Sequence, residues 1–356
     1  MRLGIIGFPQ SGKTTLFNAF TRGDQPVTMS GGRVEIHTAM VDVPDPRVDR
    51  LAALFDPQKI TYAKVTYADI AGLDGSSDKK GLAGPLLNQL NQMDGLLHVV
   101  RCFENPSVAH SMGSVDPERD IARMDAELLI NDLLAVERKQ ERLAEELRRN
   151  VKGDKAQLER ETALFTRLNE ALSQEIPLRD VEFSDEELKD LSGFGFLTLK
   201  PMLIVLNLSE GQKALSIDYS HKKSLVVSLQ GKLEMDLSQL PPDEAETFLS
   251  AYGLKELGLA RVINLSYDLL GYQSFFTVGE DEVRAWRARR GATAYEAAGV
   301  IHSDLQKGFI RAEVINQADL LALGGLNQAK SAGKLRLEGK DYILQDGDIM
   351  HVRFSL

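Results

Sequence analysis

The chain has 356 residues, enough for two or three domains that each bury their own core. Apolar residues make up 43% and charged residues 26%, a soluble globular composition that excludes a disordered, collagenous or disulfide-framework chain. With 42 Lys plus Arg against 52 Asp plus Glu, the net charge of −10 confines any nucleic-acid contact to a local patch, and the single cysteine, Cys102, excludes an intramolecular disulfide and a thiolate zinc site.

The sequence enters a strand-like run directly at Met1-Arg2-Leu3-Gly4-Ile5-Ile6, without the basic region, long apolar stretch and small-residue cleavage site of an export signal. The strongest apolar runs, residues 202–206 and 96–100, are far too short to cross a bilayer. The expectation is a cytoplasmic protein with no membrane partner. Apolar runs at residues 3–6, 65–70 and 96–100 predict buried strands, and their alternation with helix-like and Gly/Pro-rich stretches predicts a mostly parallel α/β sheet beginning in residues 1–120. From Ile121 to about Glu175 the chain becomes long charged helix: Leu129, Leu133, Val136, Leu143 and Leu147 keep a heptad seam broken at Gln140, and Leu158, Phe165 and Leu172 repeat at seven after a turn at 151–154. Residues 121–199 are therefore read as a helical hairpin inserted into the α/β domain. Runs at 202–206 and 224–227 resume the strand pattern and complete that domain over 200–272; short strands separated by turn signals over 273–356 predict a small α+β domain.

Gly7-Phe8-Pro9-Gln10-Ser11-Gly12-Lys13-Thr14 has the spacing of a phosphate-binding loop, between a strand and a helix as that loop requires. Its glycines let backbone N–H groups wrap phosphates, Lys13 supplies a compact charge, the Thr14 hydroxyl reaches Mg²⁺, and the following helix, with Thr15 in its first turn, aims its N-terminus at the anion. Asp69-Ile70-Ala71-Gly72 closes a strand where such proteins place a magnesium-directed carboxylate and a γ-phosphate-sensing glycine; Leu73 follows where a glutamine often orients the attacking water. Asn207-Leu208-Ser209-Glu210 sits where GTP-specific proteins read the base with Asn-Lys-x-Asp. Glu210 is one methylene longer than the aspartate that grips guanine, and Leu208 lacks the lysine stem, which moves the expected base from guanine toward adenine.

Together with the segments at 99–105, 274–277, 282–286 and 308–315, these motifs resemble the YchF/Obg-like ATPase family of translation-factor-class P-loop NTPases over nearly the whole chain. The resemblance implies a GTPase-type fold that prefers ATP, a coiled-coil insertion, a carboxy-terminal TGS domain of β-grasp type, and association with ribosomes. It also implies a hydrophobic residue in place of the catalytic glutamine, matched by Leu73, and a histidine that assists hydrolysis, matched by His110. Gln230 and Gly231 complete the expected base-pocket set, and Lys13 and Gly72 join His110 as the expected catalytic residues. The chain departs from the family at Gln10, where an asparagine helps coordinate potassium. The first switch lacks Asn-Tyr-Pro-Phe and leaves only Thr28 and Thr38 as metal-sensing candidates, and the helix expected between 210 and 225 is missing.

Plainer readings stand beside these. Cys102 in an apolar strand reads as an inert core thiol or a redox sensor, and His110 as a surface histidine or a catalytic one. Arg284, Arg287, Arg289 and Arg290 around Trp286 read as an RNA-holding patch or as partners of the neighbouring acids. The leading expectation is a magnesium-dependent ATPase that switches its affinity for the ribosome; the alternatives are a GTPase of the same fold and a nucleotide-gated ribosome-binding adaptor with little turnover.

Overall fold

The computed structural model describes residues 1–23, 36–70, 82, 84–148, 155–251 and 257–355. The chain runs β1 (Arg2–Ile6), α1 (Lys13–Thr21), β2 (Ile36–Asp42), α2 (Pro46–Phe55), β3 (Lys59–Thr61), β4 (Lys64–Ile70), α3 (Gly84–Asn91) and β5 (Gly95–Arg101) into α4 (Pro117–Arg148) and α5 (Lys155–Ser173). It continues through α6 (Asp185–Leu191), β6 (Met202–Asn207), β7 (Ser224–Leu229), α7 (Gly231–Ser238), α8 (Pro242–Ala251) and α9 (Gly258–Leu269). The remainder is β8 (Tyr272–Thr277), β9 (Glu282–Arg289), α10 (Ala294–Ile301), α11 (Ser303–Lys307), β10 (Phe309–Asn316), α12 (Gln317–Leu323), α13 (Leu326–Ser331), β11 (Arg336–Glu338) and β12 (Asp348–Phe354). These elements form two compact units, Met1–Ala39 with Thr66–Leu259, and Met40–Val65 with Ala260–Leu356.

The first unit carries a six-stranded sheet in the order β2-β4-β1-β5-β6-β7. Strand β1 runs parallel to β4 and β5, β5 to β6, and β6 to β7, so the carboxyl ends of all five open on one edge. Strands β5 and β6 are buried at every position, which is why their sequences read as continuous apolar runs instead of alternating ones. The register pairs Ile5 with Asp69, Ile6 with His98 and Arg101 with Asn207, bringing four widely separated segments to the loop that follows β1.

Helices α4 and α5 form the hairpin expected from the heptads, with Val136, Leu143, Leu164, Phe165, Leu168 and Leu172 in one apolar cluster. Gln140, the break in the seam, reaches across it and donates its side-chain N–H to the Phe165 carbonyl at 3.3 Å, so the polar residue is satisfied within the interface. The turn expected at 151–154 lies outside the described residues. At the hairpin's root, buried Asp132 accepts from the Leu197 and Thr198 backbone N–H groups at 2.9 and 2.7 Å and from the Thr198 hydroxyl at 2.7 Å.

The second unit is built on a sheet of order β11-β10-β12-β8-β9-β3. Helix α10, opened by a Thr293/Glu296 capping box, sets Ala294, Ala297 and Ala298 against Phe275, Phe309 and Met350; the three small residues let helix and sheet pack closely. Residues 40–65 are read from sequence as part of the nucleotide-binding domain, but the structure groups them here. Strand β3 adds in parallel to the edge of β9, pairing Lys59 with Glu282 and Thr61 with Arg284. On α2, Arg47 bridges Asp45 at 2.9 Å and Asp346 at 2.7 Å, with its guanidinium 5.2 Å from the centre of the Phe276 ring. No described helix is long and apolar enough to cross a membrane.

His98 lies in the buried middle of β5 with neither ring nitrogen partnered among the described residues, and burial drives its pKa down to about 3. The folded protein therefore holds it neutral, while the unfolded chain protonates it below its ordinary value of about 6.5. Its contribution to stability is complete above that value and is lost as the pH falls toward 3. Between pH 7 and pH 5 the loss from this one residue amounts to about 2 kcal/mol. In urea titrations His98→Leu is expected to remove that much of the acid sensitivity; a difference between the two proteins that does not change with pH would contradict it.

Candidate functional site

The loop from Gly7 to Lys13 turns tightly because three of its residues take left-handed backbone angles: Gly7 at φ 152°, Gln10 at φ 62° and Gly12 at φ 96°. A Cβ on Gly7 would stand 2.4 Å from the Val99 carbonyl, and one on Gly12 would stand 2.2 Å from the Asn207 side-chain nitrogen. Both glycines are thus dictated by close approach as well as by conformation. Gln10 adopts a left-handed angle without being glycine, an uncommon state found at strained and functional positions.

Lys13 folds back over the loop and donates to the Gly7 and Phe8 carbonyls at 2.8 and 3.0 Å. Burial lowers its pKa to about 8, against the pull of nearby Asp69. The Thr14 hydroxyl donates to Asp69 Oδ2 at 2.9 Å, which places the first turn of α1 beside the carboxyl end of β4. The other carboxylate oxygen, Oδ1, is buried with no partner among the described residues. Burial raises the Asp69 pKa, opposed by the Thr14 hydrogen bond and the Lys13 charge. Thr15, half-buried, follows on α1.

Asn207, at the end of β6 and 5% exposed, clamps the loop from the opposite side. Its Nδ2 donates to the Ser11 carbonyl at 2.9 Å and its Oδ1 accepts from the Gly231 N–H at 3.0 Å, tying the phosphate loop to the start of α7, where Gln230 is the N-cap. The other base-pocket expectations separate. Glu210 lies exposed in the turn after β6, whereas the Leu208 side chain points into the core with Ile6, Phe8 and Cys102, leaving only its backbone at the pocket. No helix intervenes between β6 and β7, as the sequence suggests. Gly72, Leu73 and Thr28 lie outside the described residues, and Thr38 is exposed on β2.

His110 is not a surface histidine. Its side chain is 6% exposed, its Nε2 lies 3.1 Å from Asp120 Oδ2, and its Nδ1 accepts from the Met112 backbone N–H at 3.1 Å. The pair shares a narrow crevice with Phe8, Pro9 and Ser11 of the phosphate loop and with His98 and Arg101 of β5. Arg101 holds the loop that carries His110, donating to the Phe103 and Val108 carbonyls at 3.1 and 2.8 Å. The sequence reading misses Asp120 and Arg101: an acid in the first turn of a helix reads as a dipole partner, and a strand-end arginine as a surface charge.

Cys102 is buried, and desolvation pushes its thiol up to about 12, which leaves it a protonated core residue. The basic cluster of the second unit is largely partnered. Arg284 stacks 3.8 Å from the centre of the Trp286 ring and pairs with Glu282 at 3.8 Å, while Arg290 pairs with Asp268 at 3.0 Å.

Comparison with known proteins finds two family models on this chain. One described as a 50S ribosome-binding GTPase matches residues 2–140, and the carboxy-terminal YchF-GTPase model, described as a protein of unknown function, matches residues 272–355. The chain is 40% identical to the ribosome-binding ATPase YchF of Haemophilus influenzae, covering 100% of this chain and 99% of that one. It is 38% identical to its counterpart in Bacillus subtilis, over 99% of each. The solved structure of the Schizosaccharomyces pombe YchF GTPase superposes with a TM-score of 0.83 at 30% identity, covering 99% of this chain and 97% of that one.

Asn207→Ala leaves the Ser11 carbonyl and the Gly231 N–H without their partner, so the variant is expected to lose about 2 kcal/mol of stability and most of its nucleotide affinity. Chemical denaturation and nucleotide titration of the same sample measure both. Unchanged affinity would remove Asn207 from the site.

Proposed function

The chain belongs to the YchF family, and we propose that it is a magnesium-dependent nucleoside triphosphatase, selective for ATP, whose nucleotide state sets its affinity for the ribosome. The observation that carries this reading is the convergence of Lys13, Thr14 and Asp69 at the mouth of a phosphate loop, with Thr14 and Asp69 in contact at 2.9 Å. Such a set grips the phosphates of a nucleotide. When phosphate enters, the Lys13 ammonium exchanges the Gly7 and Phe8 carbonyls for phosphate oxygens, and the added negative charge returns its pKa toward the ordinary range. Backbone N–H groups from Gln10 to Thr14 and the N-terminus of α1 complete the cradle.

Thr14 and Asp69 fit a magnesium ion. Asp69 Oδ1 has no partner among the described residues, and no described group of three or more His, Cys, Asp or Glu side chains is placed to hold a metal alone. Two protein oxygens completed by phosphate and water is the usual magnesium arrangement. Bound there, the ion would supply charge neutralisation to the nucleotide phosphates. Gly72 is the proposed γ-phosphate sensor and His110 the residue that orders the attacking water in place of the glutamine replaced by Leu73. Asn207, Glu210 and the Gln230–Gly231 turn are the proposed base pocket, with adenine favoured because the longer Glu210 does not reproduce the guanine-gripping aspartate.

The relatives named as ribosome-binding ATPases support the ribosome as partner. We assign that contact to the α4–α5 hairpin, as a coiled-coil arm, and to the carboxy-terminal sheet domain, as a TGS module, in a cytoplasmic protein. A nucleotide-gated adaptor with little turnover is the second reading, favoured by the enclosure of His110 in this state.

Calorimetric titration with ATP and GTP in Mg²⁺, followed by phosphate release with and without ribosomes, tests the proposal. Tighter ATP binding and ribosome-stimulated release are expected, and Lys13→Ala should abolish binding. Preference for GTP would overturn the base assignment. Binding without release in either condition would leave the adaptor, and an unimpaired Lys13→Ala would remove the site altogether.

A further inference from the structure

We propose that Asp120 is the positioning residue for His110, fixing which ring nitrogen carries the proton and so which one is left as an acceptor for water. The inference rests on the proposed role of His110 in ordering water. His110 has two hydrogen bonds, and they differ in kind. Nδ1 accepts from the backbone N–H of Met112, two residues on, so this nitrogen holds a lone pair. The proton of the neutral ring is then on Nε2, where it is donated to Asp120 Oδ2 at 3.1 Å.

The two bonds are unequal in strength. The Asp120 bond is charge-assisted and enclosed, with both side chains less than a tenth exposed, whereas the Met112 bond joins two neutral groups within a local turn. A charge-assisted bond is roughly twice as strong as a neutral one, and a low dielectric widens the difference. The crevice has no room for a water molecule as it stands, so water reaches the ring only once it widens; the weaker Met112 bond at Nδ1 is then the one exchanged, and Asp120 stays on Nε2. The ring then offers Nδ1 as an acceptor, the role that a leucine at position 73 cannot fill.

Arg119 makes the arrangement one-directional. Its Nε and Nη2 both donate to Asp120 Oδ1, at 3.0 and 2.8 Å, which leaves Oδ2 as the oxygen for His110. An isosteric Asp120→Asn must keep its carbonyl oxygen against the Arg119 donors and turn its NH₂ toward His110. Nε2 then has to accept, the proton moves to Nδ1, and Nδ1–H confronts the Met112 N–H. The substitution preserves shape and inverts the tautomer, as an asparagine does in a serine-protease triad.

The test compares wild-type protein, Asp120→Asn, Asp120→Glu and His110→Ala in ATP titration and in phosphate release with and without ribosomes. Nitrogen-15 NMR of the imidazole groups gives a readout independent of activity. Asp120→Asn is expected to lower kcat roughly ten- to a hundred-fold, as His110→Ala does, with KM for ATP nearly unchanged. It should also move the His110 proton from Nε2 to Nδ1, while Asp120→Glu, which keeps the carboxylate, restores part of the rate. Wild-type turnover in Asp120→Asn with slow turnover in His110→Ala would overturn the assignment of Asp120 and spare that of His110. Faster turnover in Asp120→Asn would show a restraint instead of a positioning contact, and also overturn it. Wild-type turnover in His110→Ala would overturn the reading of His110 itself.

Discussion

The side-chain amide of Asn207 ties the phosphate loop to the turn that opens α7. One end takes the Ser11 carbonyl and the other the Gly231 N–H, two buried backbone groups that β-sheet pairing leaves unsatisfied. An asparagine suits this place because it carries a donor and an acceptor on one rigid plane; aspartate lacks the donor, and leucine lacks both. The glycines around it follow from the same contact. A Cβ on Gly12 would come within 2.2 Å of the amide nitrogen, and one on Gly231 within 2.7 Å of the amide oxygen. The loop conformation, the position of α7 and the placement of Lys13 at the head of α1 thus share one anchor.

Electrostatics around that anchor is arranged for an anion. Lys13 is buried beside a carboxylate and two carbonyls, and burial costs it enough to bring its pKa to about 8. His98, behind the loop on β5, stays neutral and adds no competing positive charge. The cation is therefore concentrated at one point, in a region of low dielectric where its attraction for phosphate is strongest. Asp69 balances it through space and holds the Thr14 hydroxyl, so the hydroxyl, the carboxylate and the ammonium occupy defined positions before any ligand arrives.

What the sequence made legible was local. The phosphate loop is eight contiguous residues whose spacing is their chemistry, and β5 and β6 announce themselves because interior parallel strands are apolar at every position. What stayed hidden was set by partners distant in the chain. Helix α2, with Asp45 at its N-cap and Pro46 next to it, is readable as a helix, but nothing local says that residues 40–65 join the carboxy-terminal sheet; that follows from β9, whose Glu282 takes the Thr61 hydroxyl from 221 residues away. Leu208 matches a base-reading motif by position, yet the alternation along β6 sends its side chain to the core. His110 reads as a loop histidine because Asp120, which encloses it, belongs to the next helix.

Helix α4 gathers these non-local effects. Three of its aspartates face inward, and each holds a different segment of the first unit. Asp120 holds the His110 ring. Asp125 accepts from the Tyr219 hydroxyl at 3.0 Å and lies 3.7 Å from the Arg179 guanidinium. Asp132 holds the backbone at 197 and 198. At 1.5 Å per residue, these contacts span about 18 Å of the helix, a rigid root for the arm that continues to Arg148. Each is a buried or partly buried acid whose replacement partner would have to reproduce a specific donor, so the root resists sliding by a fraction of a turn. The same helix therefore serves two places: it carries the hairpin and, in its first turn, holds the histidine that shares a crevice with the phosphate loop.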